Sequence, residues 1–424
     1  MPMLARLLLL FLFAAAPQTA HAQVAVADSG DTGWMMLCAL LVLLAAVPGL
    51  MLRHAGLVSV RNALAVPAQG LAVAAGVSLA WAIAGYSLAY APGSAWLGGG
   101  ANLMLERLAA LREGLTVPES AFVLFQMAMA VFAACLLPGA VAERARIGWI
   151  AAFAPLWLLI VYAPIAHAIW AGGWLADLGV MDFAGGLVVQ ATAGFSALAL
   201  VLILGRRRTV AEPGHAPLLG MGGGALLWIG WAGMVGGWAL GATDGAATAI
   251  LNAHFAACAG VLGWMLGDRL IGGRVQATGL PSGALAGLVA ISASAGLVGP
   301  GGAMLGGLIG ALVSRVAKAL LASRIDDAAD IFVIHGLGGL AGALALPLLV
   351  QPLLGGVGFD AGIGLRGAML GQLIGVGMVA LWAMLGSAII ALLLSVVLPM
   401  RGTAQEETDG LDAVQHGQQG WDFR

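Results

Sequence analysis

The side chains with the strongest claim to chemistry are five ionisable residues that interrupt long apolar stretches: His167, Asp182, His254, Asp330 and His335. At bilayer depth each such group costs about 2.5–3.5 kcal/mol, which makes it a functional candidate. Imidazole can take up and release a proton near neutral pH. No nucleophile with a neighbouring base accompanies these residues, and no set of metal ligands does. The sequence therefore predicts a protein that is not an enzyme, with no metal site and no cofactor.

The two acids among these residues stand near opposite ends of two apolar segments. Asp182 precedes Gln190 in the sequence, and Asp330 precedes His335. At about 1.5 Å of rise per helical residue, the two polar residues lie roughly 12 Å and roughly 7–8 Å beyond their acids. Antiparallel helices related in this way predict an inverted repeat, whose binding site lies between the halves.

The elements that hold these residues must be membrane helices. The chain has 424 residues, of which 61% are hydrophobic and 9% are charged, whereas a soluble domain is about 25% charged. Its 65 glycines are roughly twice the average usage, and small residues let membrane helices pack closely. A formal net charge of −2 excludes a broad basic surface for nucleic acid. The composition predicts an all-α polytopic protein embedded in a lipid bilayer.

The first residues have the pattern of a secretory signal peptide. Arg6 precedes a short apolar stretch, and Ala20-His21-Ala22 supplies the small-residue cleavage site. The alternative, a first membrane helix, needs about 20 apolar residues and the stretch is shorter. We therefore predict a signal peptide over 1–22, a membrane domain over 23–399 and a cytoplasmic tail over 400–424.

The remaining apolar stretches predict eleven spans. Their approximate limits are 33–52, 65–90, 119–141, 147–169, 184–205, 216–237, 246–267, 279–297, 301–322, 331–353 and 368–399. An odd number of spans with the N-terminus outside places the tail in the cytoplasm. The basic residues agree, because the predicted external loops hold only Arg107, Arg112 and Arg366, and basic residues concentrate on the cytoplasmic side.

Short motifs spread along this pattern resemble the ammonium transporter family, the Amt/Mep/Rh superfamily. In order they are Pro48-Gly49, Phe125-Gln126, Ala142-Glu143-Arg144, Pro164-Ile165-Ala166-His167 with Trp170, Asp182-Phe183-Ala184-Gly185-Gly186, Ile229-Gly230-Trp231, Asp330 with His335-Gly336, Gly410-Leu411-Asp412 and His416-Gly417. The resemblance implies a divergent bacterial member in the inner membrane. It also implies a homotrimer with one pore per subunit, built from two five-helix halves and a final helix.

The resemblance assigns roles along a permeation path for ammonium or ammonia. Trp170 matches the residue that recruits the cation at the outer mouth, and its π face suits such a cation. Asp182 matches the structural acid below that site. His335 matches the second of two pore histidines, and Trp231 is expected to line the pore beside it. His167 is interpreted as a packed, hydrogen-bonded core residue, and His254 as a residue with a local contact on its own helix.

Four positions on this path depart from the family pattern. Gln190 stands in place of the first pore histidine, and an amide does not titrate near neutral pH. Met129 and Met234 stand where two gate phenylalanines are expected, and Trp238 replaces a serine of the recruitment site. Trp238 is interpreted either as a second cation–π wall or as a plug.

The altered path leaves more than one function open. The first prediction is a transporter or channel for ammonium or ammonia. The alternatives are a weakly conducting or non-conducting ammonium sensor that signals through its tail, or a channel for another small substrate. In either case the tail motif, at Gly410, Leu411, Asp412, His416 and Gly417, implies contact with a cytosolic regulatory protein of the PII type.

Overall fold

The computed structural model describes residues 27–209, 212, 214–359 and 363–421, so the predicted signal peptide lies outside the described residues. Within these ranges the regular structure is helical, and no β-strand forms. Ten helices are long and apolar enough to cross a membrane, and a shorter apolar helix accompanies them. The predicted fold class, an all-α polytopic membrane protein, is confirmed.

We number these helices in chain order. They are α1 Ser29–Leu57, α2 Val60–Tyr90, α3 Glu119–Ala140, α4 Ile147–Asp177, α5 Gly186–Leu204, α6 Pro217–Gly237, α7 Asp244–Gly272, α8 Ala277–Ser292, α9 Pro300–Leu321, α10 Phe332–Leu349 and α11 Leu365–Ser395. Two short helices follow in the tail, α12 Ala404–Asp409 and α13 Leu411–His416.

Helices occur at all eleven predicted positions, with two differences in length. The eighth, α8, is shorter than the ten spanning helices, so the exact number of eleven spans stays a prediction. The first continues to Leu57, beyond the predicted end at 52, and therefore includes Arg53 and His54. The prediction ended this span at its first charged residue. The structure buries that residue instead, because glycines of α6 bring the α6 backbone against the end of α1.

Glycine contacts explain how the halves pack. Gly194 of α5 lies so close to Gly336 of α10 that a side-chain carbon at Gly194 would overlap the α10 backbone. A side-chain carbon at Gly56 of α1 would likewise overlap the backbone of Gly220 on α6. Contacts of this kind let the first five helices approach the next five. The most buried spans are α3 and α5, so the core lies around these two helices.

Five spanning helices contain a π-helical turn, in which one extra residue widens the helix. These turns are Ala45–Gly49, Trp81–Gly85, Leu158–Tyr162, Gly186–Ala191 and Phe332–Leu337. Such turns are frequent at functional sites. The last two carry Gln190 and His335, the two polar residues singled out from the sequence.

Candidate functional site

Asp182 fixes the start of α5 through its carboxylate. Its Oδ1 accepts the backbone N–H of Gly185 at 3.0 Å, and its Oδ2 accepts those of Leu187 and Val188 at 2.9 and 2.8 Å. The first N–H groups of a helix have no partner within the helix, so a carboxylate here satisfies them and complements the helix dipole. The chain reaches this position through Gly185, whose φ of +94° favours glycine.

Asp327 plays the corresponding part at the start of α10. Its Oδ2 accepts the backbone N–H of Phe332 at 2.6 Å, five positions along, the same offset that separates Asp182 from Leu187. Eight positions separate Asp327 from His335, as eight separate Asp182 from Gln190. The two acid-led helix starts are thus related by the inverted repeat.

The choice of Asp330 as the partner of Asp182 was therefore wrong by three positions. Asp330 occupies the place of Gly185 in the second copy: each lies three positions after its acid and has a positive φ, +59° for Asp330. Its carboxylate pairs with Lys318 at 2.5 Å. The equal eight-residue spacing is a sequence signal that would have identified Asp327.

Gln190 and His335 meet at the contact between the halves. The Nδ1 of His335 lies 2.7 Å from Oε1 of Gln190, and an amide oxygen accepts the hydrogen bond. The Nε2 of Gln190 lies 3.7 Å from the thioether sulfur of Met234 and donates to it. Gln190 and Met234 are fully buried, and His335 is nearly so. Three residues predicted for the path thus form one hydrogen-bonded series.

Met129 and Trp231, the other two residues predicted for the path, are buried side chains. Met129 is fully buried on α3, which contacts the first turn of α5. Trp231 is also fully buried, and its indole N–H donates to the hydroxyl of Ser292 at 3.0 Å. Its ring meets Phe132 of α3 edge to face, with centroids 5.5 Å apart. The turn that carries Gln190 therefore packs against a buried, apolar helix.

The tryptophan end of the bundle is the end where Trp170 and Trp238 lie. Their ring centroids are 4.1 Å apart at an interplanar angle of 43°. The indole N–H of Trp170 donates to the backbone oxygen of Asp182 at 2.8 Å, whereas that of Trp238 is buried without a partner. Phe125 meets Trp238 edge to face, with centroids 6.2 Å apart. Trp238 thus contacts two other aromatic rings at this end.

The opposite end is the tail end, where residues 400–421 pack on the loops between spans. Here Arg207 lies between two carboxylates. It forms ion pairs with Glu143 and with Asp326, whose Oδ1 is 2.6 Å from its Nη2. Burial disfavours charge on both acids, but hydrogen bonds and the Arg207 charge outweigh it. The pKa of Glu143 and the pKa of Asp326 therefore lie below their ordinary values.

Asp412 connects the tail to the start of α2. Its carboxylate accepts the backbone N–H of Leu64 at 3.0 Å and that of Ala65 at 2.7 Å, at the beginning of a regular α-helical segment. The neighbouring Leu411 is fully buried, and its N–H donates to Oδ1 of Asn62 at 3.0 Å. The tail thus supplies, from far along the chain, the cap that α2 lacks locally.

Further contacts hold the rest of the tail. The Glu406 carboxylate accepts two hydrogen bonds from Nη2 of Arg146, at 2.6 and 2.9 Å. Gly410, with φ of +93°, separates α12 from α13, and Gly417, with φ of +62°, ends α13 directly after His416. The described part of the tail is docked on the bundle.

Two polar residues of α1 were not recognised as candidates from the sequence. Arg53 was assigned to a cytoplasmic loop, but only 4% of it is exposed. His54 is 2% exposed, and its Nε2 is buried without a hydrogen-bond partner. No periodicity marks them, and only the extension of α1 reveals their position.

His167 and His254 have partners of their own, and no metal centre is found among the described residues. The ring nitrogens of His167 lie 3.0 Å from the oxygen of Ala89 and 2.8 Å from that of Ser94. The exposed His254 contacts Cys258 on the same helix, at 3.7 Å. Within the described ranges no three His, Cys, Asp or Glu side chains gather as metal ligands would.

The chain has helices that cross a membrane, and α5 and α10 of its two halves each begin at an aspartate. A series of buried side chains joins these halves. Together these features define a membrane transport protein. Residues 33–421 match the model of the Ammonium Transporter Family, and the chain belongs to this family. It is 38% identical over 405 residues to the ammonium transporter of Bacillus subtilis (strain 168), covering 92% of this chain and 98% of that protein. The family consists of transporters and not of enzymes.

Other relatives and solved structures agree. The chain is 36% identical over 395 residues to Ammonium transporter Amt1 of Archaeoglobus fulgidus, covering 92% of this chain and 98% of that protein. A solved structure described as "Sensor Amt Protein" superposes with a TM-score of 0.85 at 27% identity, covering 91% of this chain and 98% of the other. Candida albicans Mep2 superposes with a TM-score of 0.81 at 32% identity, covering 89% and 87%.

Proposed function

We propose that this protein moves ammonia across the bacterial inner membrane after recruiting ammonium at the tryptophan end. The observation that carries the proposal is the buried series Met234, Gln190 and His335 at the contact between the halves. In a protein of this family, the series offers one amide and one imidazole to a small polar solute within an apolar surrounding. Trp170, held by Asp182, forms the recruitment site with Trp238 packed over it, and Met129 with Met234 forms the gate.

The chemistry of the series favours passage without net charge. Gln190 donates and accepts hydrogen bonds but takes up no proton near neutral pH. His335 is therefore the one titratable side chain in the series, and a relay from one histidine to another is interrupted. Methionine is flexible and polarizable, so the gate stays apolar without rigid rings. Neutral ammonia satisfies these constraints, and ammonium does not.

The experiment is an ammonium jump on proteoliposomes, with internal pH and membrane current recorded together. Transport of neutral ammonia raises the internal pH faster than in protein-free vesicles and carries little current. A saturable inward current that matches the ammonia uptake would overturn passage of the neutral form. Uptake no faster than in protein-free vesicles would overturn transport itself.

A second candidate function, ammonium sensing, has its own supporting observation. Trp170 and Trp238 are in ring contact at the mouth, which narrows the entrance, and the tail is docked at the other end. A solved relative is described as a sensor. A sensor without conduction would show ammonium-dependent protease cleavage of the tail and no uptake. A transporter would show uptake.

Assembly and regulation complete the proposal. We take the functional unit to be a homotrimer with its N-termini outside and its tails cytoplasmic, an orientation supported by the basic residues of the tail-end loops. The docked tail is the surface on which a cytosolic PII-type protein would act. Deletion of residues 402–424 is expected to abolish capture of a PII-type protein by the vesicles. Unchanged capture would overturn the regulatory part.

A further inference from the structure

Arg53 is a buried cation with no carboxylate partner of its own. Its Nη2 donates to the hydroxyl of Ser282 on α8 at 2.8 Å, and the residue is 4% exposed. Among the described residues it forms no ion pair. Its positive charge is therefore not neutralised locally.

An uncompensated charge inside a membrane span needs a reason. Burial of a charged group is costly unless the group is paired, and membrane proteins keep such groups mainly where they act on a transported solute. Arginine keeps its proton under all ordinary conditions, so the cost is not avoided by neutralisation. A hydroxyl partner satisfies one donor of the guanidinium and leaves the charge in place.

The position of Arg53 relative to Met234 is what gives this charge a consequence. The guanidinium lies beside Gly224 of α6, and the ten positions from Gly224 to Met234 correspond to about 15 Å of helix rise. Helix α6 runs from the tail end at Pro217 to the tryptophan end, where it is followed by Trp238. The guanidinium therefore lies toward the tail end of the series that begins at Met234.

We propose that Arg53 places a fixed positive charge at the tail end of the path, so that ammonia passes and ammonium is rejected. The inference rests on the proposed transport function and names the residue that sets its selectivity. Like charges repel over several ångströms in a medium of low dielectric constant, whereas a neutral solute is unaffected. Arginine provides an electrostatic barrier to cations in other membrane pores by the same physics.

The test is made in a Gln190→His background, because that change supplies a second imidazole for proton transfer and leaves Arg53 as the barrier. Three proteins are compared in proteoliposomes after an ammonium jump: Gln190→His alone, with Arg53→Met, and with Arg53→Lys. The Met variant is expected to carry at least about tenfold more current than the other two, since lysine keeps the charge. Equal currents in all three, at any level, would overturn the inference.

A second pair keeps the arginine and alters its partner. In the same background Ser282→Asp places a carboxylate beside the guanidinium, and Ser282→Asn is a control of similar size without charge. The Asp variant is expected to carry about tenfold more current than the Asn variant, and equal currents would count against the inference. Internal pH, recorded in the unmodified protein, tests the transport function separately. Absent uptake there would reject that function, while a charge-dependent current in the variants would still support the barrier.

Discussion

Trp238 packs directly on Trp170, with ring centroids 4.1 Å apart. A cation attracted to an aromatic face lies within about 6 Å of its centroid, so a cation between two rings needs them well separated. The space between these two rings is already filled by their own contact. The arrangement favours Trp238 as a plug over Trp238 as a second wall around a bound cation.

Replacement of this ring is therefore expected to open the mouth. Trp238→Ala should raise ammonia uptake by about threefold to tenfold in proteoliposomes, because the Ala side chain leaves the face of Trp170 open to the cation. Trp96→Ala is a suitable control, since Trp96 lies against Trp174 at 4.8 Å and belongs to no part of the proposed path. Reduced uptake in a folded Trp238→Ala protein would support the wall instead.

Gln190 is expected to stabilise the contact between the halves as well as the path. Gln190→Leu removes the acceptor of His335 and leaves a buried N–H without a partner, at a cost of about 1–3 kcal/mol. Thermal stability in detergent should fall, and ammonia uptake should fall severalfold. Gln69→Leu is a matched control, because Gln69 is also fully buried but donates to the backbone oxygen of Ala145. Equal losses of uptake in both variants would remove Gln190 from the path.

The tail should loosen when its cap on α2 is removed. Asp412→Ala leaves the N–H groups of Leu64 and Ala65 without their acceptor, which costs about 1–2 kcal/mol for a lost cap. Limited proteolysis should then cut the tail faster than in the unmodified protein. Asp409→Ala is the control, since Asp409 is exposed and its carboxylate accepts from Gln405 within the tail. The same cleavage rate in Asp412→Ala and Asp409→Ala would contradict the role of Asp412.

Stability at the tail end should depend on pH through Glu143 and Asp326. The pKa values of both carboxyl groups are lower in the folded protein than their ordinary values. The ion pairs of these groups with Arg207 therefore stabilise the fold at pH values above the ordinary carboxyl pKa. This contribution is lost as the pH falls from about 4.5 through the lowered values. Melting temperature measured between pH 7 and pH 3 should therefore decrease on the acid side.

Arg207→Met tests the same network from its cationic side. Loss of the cation leaves two carboxylates close together and mostly buried, at a cost of about 3–5 kcal/mol near neutral pH. The melting temperature of this variant should rise as the pH falls toward 4, the reverse of the unmodified protein. Arg206→Met serves as the control, because Arg206 is exposed and donates to the backbone oxygen of Ser323. Identical pH profiles for the two variants would contradict the network.

Much of this architecture could be predicted from residue types because the membrane restricts the choice. Apolar length alone located helices at all eleven predicted positions, and the eight residues from Asp182 to Gln190 pointed to a polar position inside α5. The prediction failed where tertiary packing overrode a local rule. Arg53 ended the predicted first span because a charge belongs at an interface, yet close contact with α6 buries it. Asp330 was predicted to open the tenth span, yet it is Asp327 that accepts the backbone N–H of Phe332 there.

No sequence pattern predicts the contacts between segments that are distant along the chain. The capping of α2 by Asp412 depends on two backbone N–H groups hundreds of positions away, and the ring contact of Trp238 with Trp170 depends on how α4 and α6 converge. Residue identities named these side chains, but their distances follow from the packing of whole helices. Such distances decide whether a tryptophan closes a mouth or surrounds a cation.

The π-helical turn at Gly186–Ala191 gives α5 a tolerance to sequence length unlike that of an ordinary helix. Within it the backbone N–H of Gln190 donates to the oxygen of Gly185, five positions back, at 2.8 Å. Such a turn holds one residue more than an α-turn would, and each residue of an α-helix rotates the chain by about 100°. A single-residue deletion inside the turn would relax it to a regular helix. Gln190 would then rotate away from His335 while every helix kept its place, so the meeting of these two side chains depends on a count of residues as much as on their identity.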